Sequence, residues 1–324
     1  MKRVLIVITF TLLLISCKKK ETVAEEPIPE PTPAVICPTC NFPDTVWTSN
    51  ATGPKLIFKF KFDSTQARLD NFAMPSTIPG TNAAQSPTFN GMSAHYIEMA
   101  QGDLTQVGQG TVLYRAEETT CGGNNAIVFC KSIVAKDGDV FFSVPIASVT
   151  PGTYKWLRVS LAYQNYDVKI KTTSAGVING TIASFVGFNT YVSKYKMHGA
   201  TMTPTLNGAG NKLQGYWGFY TNYMSTDVKA EGQAPQTTVV NPNPSSPIPP
   251  GSCLVTGAFV TTAAPNVGAP LTITGSETQD IIITVSLSTN KSFEWKELTF
   301  DGLFQPEIGE NVVDMGLRGL KPMY

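Results

Sequence analysis

Two histidines, His95 and His198, are the only imidazoles in 324 residues. Each has a methionine four positions later, Met99 and Met202. Positions four apart on a strand share a face, so each pair can converge. Imidazole with thioether is a donor set for a soft ion such as copper(I). The spacing therefore puts His95, Met99, His198 and Met202 forward as candidate copper ligands. Against this stands ordinary packing, in which methionines fill core gaps. A second group is aromatic: Tyr216, Trp217, Phe219, Tyr220 and Tyr223 follow a Gly-rich stretch at 207–210. Flat rings stack on sugars or fill a core. Tyr216, Trp217 and Tyr220 form the candidate ligand platform. Strand alternation sends Trp217 to the face opposite Tyr216 and Tyr220, so at least one set turns inward. No G-x-S-x-G elbow, P-loop or dinucleotide fingerprint occurs. Binding rather than catalysis is the expectation.

The six cysteines divide by position. Cys17 closes the stretch Leu14-Ile15-Ser16-Cys17, which resembles a bacterial lipobox. Cys121 and Cys130 flank Gly122-Gly123-Asn124-Asn125, which is turn chemistry, so a bridge between them is expected. Cys253 is then expected to pair with Cys37 or Cys40, pinning the N-terminal segment to the body. Cys37-Pro38-Thr39-Cys40 lies in a proline-rich stretch and opens no helix, so no dipole lowers its thiol pKa. A structural disulfide suits it better than redox or zinc chemistry.

The elements that must position these residues begin after an address. Met1-Lys2-Arg3 is basic, and residues 4–15 are apolar except for Thr9 and Thr11. Twelve helical residues span about 18 Å, too short for a bilayer core of about 30 Å. Residues 1–16 read as a signal peptide, and Cys17 as the lipidated mature N-terminus. Lys18 is not the Asp that retains some lipoproteins in the inner membrane. An outer-membrane anchor, facing the periplasm or the surface, is the expectation. Residues 17–52 read as a lipidated tether. Prolines 27, 29, 31 and 33 favour extended polyproline II at about 3.1 Å per residue.

From residue 53 the pattern alternates. In 55–63, Leu56, Phe58, Phe60 and Phe62 share one parity, opposite Lys55, Lys59, Lys61 and Asp63, with Ile57 the exception. Residues 139–149, 155–163, 167–171, 181–195, 280–288 and 292–300 behave similarly. Pro151-Gly152, Asn179-Gly180 and Pro250-Gly251 separate runs. Residues 94–102 read as either a helical turn or a short strand. Many short strands and no long helical stretch predict an all-β fold, an antiparallel β-sandwich with long loops. Residues 53–324 are expected to be one domain, with 241–251 a proline-rich surface loop. Lys+Arg and Asp+Glu balance at 24 each, which argues against nucleic acid as a partner. Charged residues are only 15%, which suits many half-buried strands.

Several segments together resemble the methanobactin-associated periplasmic copper-binding (MbnP-like) family. They are KLIFKFKFDSTQARLDN (55–71), SAHYIEMA (93–100), FFSVPIASVTPGTYKWLRVSLAY (141–163) and NKLQGYWGFYT (211–221), with the strands of 270–300. The family consists of exported β-sandwich proteins, often lipoproteins in Bacteroidota. The resemblance implies copper bound near a histidine and partnership with a di-haem peroxidase-like enzyme that can oxidise a tryptophan. His95 falls in the family's Tyr-rich early strand, and Trp217 in its aromatic Gly-Tyr segment. The other expectation is a carbohydrate-binding accessory lipoprotein of a polysaccharide-uptake system. A purely structural surface protein is the third.

Overall fold

The computed structural model describes residues 36–43, 47, 51–69, 74–206, 210–234, 251–315, 317 and 319–324. The segment expected to be a signal peptide, Cys17, most of the expected tether and residues 241–250 lie outside these. In chain order the strands are β1 (Lys55–Asp63), β2 (Asn82–Gln85), β3 (Thr88–Ala100), β4 (Thr111–Arg115), β5 (Glu118–Thr119), β6 (Ala126–Val128), β7 (Val140–Pro145) and β8 (Gly152–Tyr154). They continue with β9 (Trp156–Thr172), β10 (Gly176–Phe185), β11 (Thr190–Val192), β12 (Tyr195–Met197), β13 (Ala200–Met202), β14 (Gly210–Lys212), β15 (Tyr216–Tyr223) and β16 (Thr226–Gln233). The last are β17 (Cys253–Ala258), β18 (Val260–Thr261), β19 (Ala264–Gly268), β20 (Leu271–Ile273), β21 (Ile281–Ser288), β22 (Phe293–Lys296), β23 (Val312–Asp314) and β24 (Leu320–Met323).

Two sheets make the sandwich. One has six strands in the order β19-β18-β24-β21-β1-β7. The other has seven, β16-β15-β10-β9-β3-β4, with β17 added against β9. Alternation in β1 works as the sequence predicts: Leu56, Phe58 and Phe60 are buried. They meet Ile283, Val285 and Leu287 of β21, and Met92, Ile97, Met99, Leu157 and Val159 from the opposite sheet. Burying such side chains stabilises by roughly 1.5–3 kcal/mol each, which is what holds the layers together. Ile57, the exception to the alternation, sits opposite Ile282 on the outward face. β1 and β21 run parallel over eight register pairs, although most other pairs are antiparallel. An early strand and a late strand thus lie side by side in one sheet.

Residues 155–163 and 167–171 are expected as two strands, yet they form one strand of 17 residues. The reason is a bulge. Ser93 pairs with Tyr163 and Ala94 with Leu161, so Ala162 has no partner on β3. An extra residue flips the parity that follows. Leu157, Val159 and Leu161 face the core before it; Tyr166, Val168 and Ile170 face inward after it. The length of β9 is used by two neighbours along one edge. β17 pairs with residues 156–161 and β10 with 163–172. Residues 94–100 belong to β3, so the strand alternative holds there. Residues 181–195, expected as one strand, divide among β10, β11 and the first residue of β12.

A third, thinner layer lies on the outer face of the seven-stranded sheet. The small sheet β14-β11-β6-β5 and the hairpin β12–β13 form it. Phe129, Val192, Tyr195, Met197 and Met202 from this layer pack on Tyr163, Ala183, Phe185 and Tyr216. Gly218 shows why a glycine is needed beneath it: a Cβ there would collide with the Tyr195 hydroxyl.

The cysteine pairing differs from expectation. Cys37 bonds to Cys121 and Cys40 to Cys130. Cys121 and Cys130 are therefore not joined to each other, nor Cys37 to Cys40, and Cys253 belongs to neither bridge. Between Cys121 and Cys130 run β6 and a 3-10 turn that are built into the outer layer, so their cysteines face the N-terminal segment instead of one another. That segment is held to the body covalently, as expected, but through different partners. Trp47 reinforces it, donating from Nε1 to Ser143 Oγ at 2.8 Å and packing on Phe142.

Candidate functional site

His95 sits at a second bulge of β3. Ala94 pairs with Leu161 and Tyr96 with Ser160, which leaves His95 without a partner on β9. Met92 and Ala94 face the main core before the bulge, and Ile97 and Met99 after it. His95 is turned the other way, under the outer layer, with its ring 5.0 Å from that of Phe188. The parity argument for a His95–Met99 pair therefore fails, because the bulge lies between them. His95 is fully buried and its Nε2 lies 3.0 Å from Glu118 Oε1.

Glu118 also accepts bonds from Arg115 Nε at 2.7 Å and Asn125 Nδ2 at 2.6 Å. Burial raises the Glu118 pKa, but the bonds from His95, Arg115 and Asn125 outweigh it and hold the carboxyl at about 2. An ionised carboxylate only accepts, so His95 Nε2 carries the proton. Nδ1 is the ring nitrogen left for another partner. Among the described residues it has no hydrogen-bond partner, and neither do Ser93 Oγ and Ser160 Oγ on the same face. A buried polar atom left without a partner calls for a water or an ion.

This carboxylate makes the fold pH-sensitive in acid. Its folded pKa of about 2 lies below the ordinary 4.5, so its contribution is complete above 4.5 and is lost as pH falls through about 2. Glu118→Gln is expected to flatten the acid limb of stability in that window, read from urea midpoints across pH. An unchanged limb would refute the bonds described.

His198 is placed by a turn. It and Gly199 have φ of 45° and 86°, and Met197 pairs with Ala200. Two successive positive values define a two-residue type I′ hairpin turn. The ring is exposed at the tip, and its Nε2 lies 2.8 Å from Asp167 Oδ1. Met202 is buried in the cluster below the hairpin. His198 and Met202 thus do not converge either. The four candidate copper ligands occupy separate environments: buried beneath the outer layer, in the main core, on an exposed turn and in the outer cluster.

Around Asp167 the sheet collects polar groups. Asp167 Oδ1 accepts from Thr181 Oγ1 at 2.7 Å and Asn90 Nδ2 at 3.0 Å, besides meeting His198. Asn90 also donates to Asn165 Oδ1. Register extends this into a row across five strands. Thr88 lies opposite Asp167, Asp167 opposite Thr181, Thr181 opposite Tyr220 and Tyr220 opposite Lys229. A parallel row holds Lys169 and Asn179, with Asn222 and Asp227 further along. Residues paired in register share a face, so both rows stand on the outer side. Tyr220 donates to Asp227 Oδ1 at 3.0 Å, and Asn222 Nδ2 to the same oxygen at 2.7 Å.

The aromatic platform separates. Tyr216 is buried under the hairpin, with its hydroxyl bonded to Glu231 Oε2. Trp217 points to the opposite face and lies against Gly232. Only Tyr220, half-buried, remains on the outer face beside the polar rows. Cys17 lies outside the described residues.

Among the described residues no group of three or more His, Cys, Asp or Glu side chains is arranged to hold a metal. No helix there is long and apolar enough to cross a membrane, and two disulfides fit an extracytoplasmic, oxidising compartment. The fold and its two faces define an all-β sandwich with a disulfide-braced outer layer. Compared with protein-family models, curated proteins and solved structures, the chain matches none. Sequence reasoning missed Asp167, Asn90, Asn165, Thr181 and Glu118. Alternation at 165, 167 and 169 marks a polar face, but only register shows which neighbours share it. Gly199 after His198 was the one local sign of the turn.

Proposed function

We propose that this chain is a binding protein of the cell envelope, anchored by lipid at Cys17 to the outer membrane, that holds carbohydrate on the outer face of its seven-stranded sheet. The observation that carries the reading is the row Thr88–Asp167–Thr181–Tyr220–Lys229 with His198 above it. Sugars are recognised by carboxylate, amide and hydroxyl groups fixed in place, with a ring face against the apolar side of the pyranose. Asp167 is fixed by Asn90 and by Thr181, itself buried beneath the face, and Tyr220 by Asp227. Such a protein would serve as an accessory lipoprotein of a polysaccharide-uptake system. A glycan array probed with the full-length chain in non-ionic detergent tests this. Binding is expected, with loss on Tyr220→Ala at an unchanged unfolding midpoint. No glycan bound anywhere on the array would defeat it.

A second reading has its own support in the orphaned Nδ1 of His95. A buried imidazole whose other nitrogen donates to a carboxylate is how proteins orient a metal ligand. The MbnP-like resemblance adds copper and a di-haem peroxidase-like partner. Met99, His198 and Met202 do not join His95, so the ion would rest on Nδ1, with the serines of the same sheet face, Ser93 and Ser160, as further oxygen donors to test. In the same detergent preparation, copper(I) titration and metal analysis separate the two. His95→Ala should abolish copper retention if this reading holds, and leave glycan binding intact.

A further inference from the structure

The charge on the outer face narrows the ligand class, an inference that rests on the carbohydrate reading above. Both carboxylates on the two rows are engaged by the protein. Asp167 accepts from Thr181 and Asn90 and meets His198; Asp227 is held by Tyr220 and Asn222. Those donors from Asn222 and Tyr220 pull the Asp227 pKa down, so it stays a committed anion. The lysines are held more loosely. Lys229 Nζ donates to the Thr201 carbonyl at 3.1 Å and its charge also helps lower the Asp227 pKa, but neither it nor Lys169 forms an ion pair among the described residues. Both are exposed.

Their placement is set by register. Lys169 stands on β9 and Lys229 on β16, three strand spacings apart, with Thr181, Asn179, Asn222 and Tyr220 on the strands between. At about 4.8 Å per strand the two ammonium groups rise from positions roughly 15 Å apart. One small acid cannot reach both. A chain of sugars carrying carboxylates at intervals can, with its uncharged faces lying over Tyr220 and the amides.

We propose that the outer face binds an acidic polysaccharide of the polyuronate class, with Lys169 and Lys229 each receiving a carboxylate and Tyr220 stacking under the sugar between them. An ammonium–carboxylate hydrogen bond is a charge-assisted contact, stronger than a neutral one but weakened by salt when exposed. Neutral glucans would lack both end contacts.

Affinity electrophoresis of the full-length chain in non-ionic detergent tests the assignment. The probes are polygalacturonate, alginate, a neutral glucan, dextran sulfate and duplex DNA, at low and high salt. Retardation by a polyuronate that weakens with salt is expected. Lys169→Gln with Lys229→Gln should weaken it about tenfold, without moving the unfolding midpoint. Retardation by the neutral glucan alone would overturn the polyuronate assignment and leave the carbohydrate reading standing. Dextran sulfate or DNA binding as tightly as polyuronate would also overturn it, as general polyanion attraction. Binding to none of the probes would overturn it too, and the glycan array then decides whether the broader reading survives.

Discussion

Replacing Cys40 and Cys130 by serine is expected to cost about 3 kcal/mol of stability, and removing the Cys37–Cys121 bridge as well about 5 kcal/mol more. The unequal steps follow from loop closure. The bridges span sequence separations of 84 and 90 residues but tie the same two short segments together. With one bridge in place, the second closes only the small ring running through residues 37–40 and 121–130. Losing either one removes that small-ring term. Losing both frees the long loop, whose closure entropy is larger. The native contacts at stake are specific: Ser193 Oγ donates to the Cys40 carbonyl, and Lys196 Nζ stands 4.8 Å over the Phe42 ring. Thermal and urea unfolding of the single-bridge and bridgeless variants measures the two steps. A non-reducing peptide map should show 37 linked to 121 and 40 to 130. A peptide joining Cys121 to Cys130 would overturn the pairing.

The second large effect lies at Glu98. Its carboxylate is fully buried on β3 and accepts from Gly108 N at 3.1 Å and Gly110 N at 2.6 Å. Arg158 Nη1 stands 3.5 Å away, and Arg158 in turn donates to the carbonyls of Thr105 and Gln106. One carboxylate and one guanidinium therefore shape the loop between β3 and β4. Gly110 belongs to this arrangement, since a Cβ there would collide with the Met99 carbonyl and the Glu98 side chain. Glu98→Ala removes the acceptor for two amides and leaves Arg158, itself nearly buried, without its counter-ion. Breaking a buried pair in this way costs about 3–5 kcal/mol. Urea denaturation reads the loss, and limited proteolysis should find new cleavage near Leu104, which is exposed at the tip. A cost under about 1 kcal/mol would show that the loop is held by other contacts.

How much of this was legible beforehand varies by residue. The inward set of β1 could be read directly, because an unbroken strand keeps period two. The same rule misled at β3 and β9. Unpaired residues at His95 and Ala162 switch the parity, and nothing in AHYIE or LAYQN announces an extra residue. The candidate metal set rested on that parity, so the bulge at His95 removed Met99 from it. The aromatic cluster was legible as two opposed faces, but which face would be covered depended on the β12–β13 hairpin.

The sequence alone determined the class of fold, through its alternation and turn residues, because these act over a few neighbouring positions. The scarcity of charge is legible there too, as is the stretch Leu14–Cys17 that resembles a lipobox. Tertiary structure decided which cysteines meet, since bond partners depend on where distant strands bring them. It likewise decided that Asp167, Thr181, Tyr220 and Lys229 form one row. They come from four strands spread over more than sixty residues, and only register between strands sets them side by side.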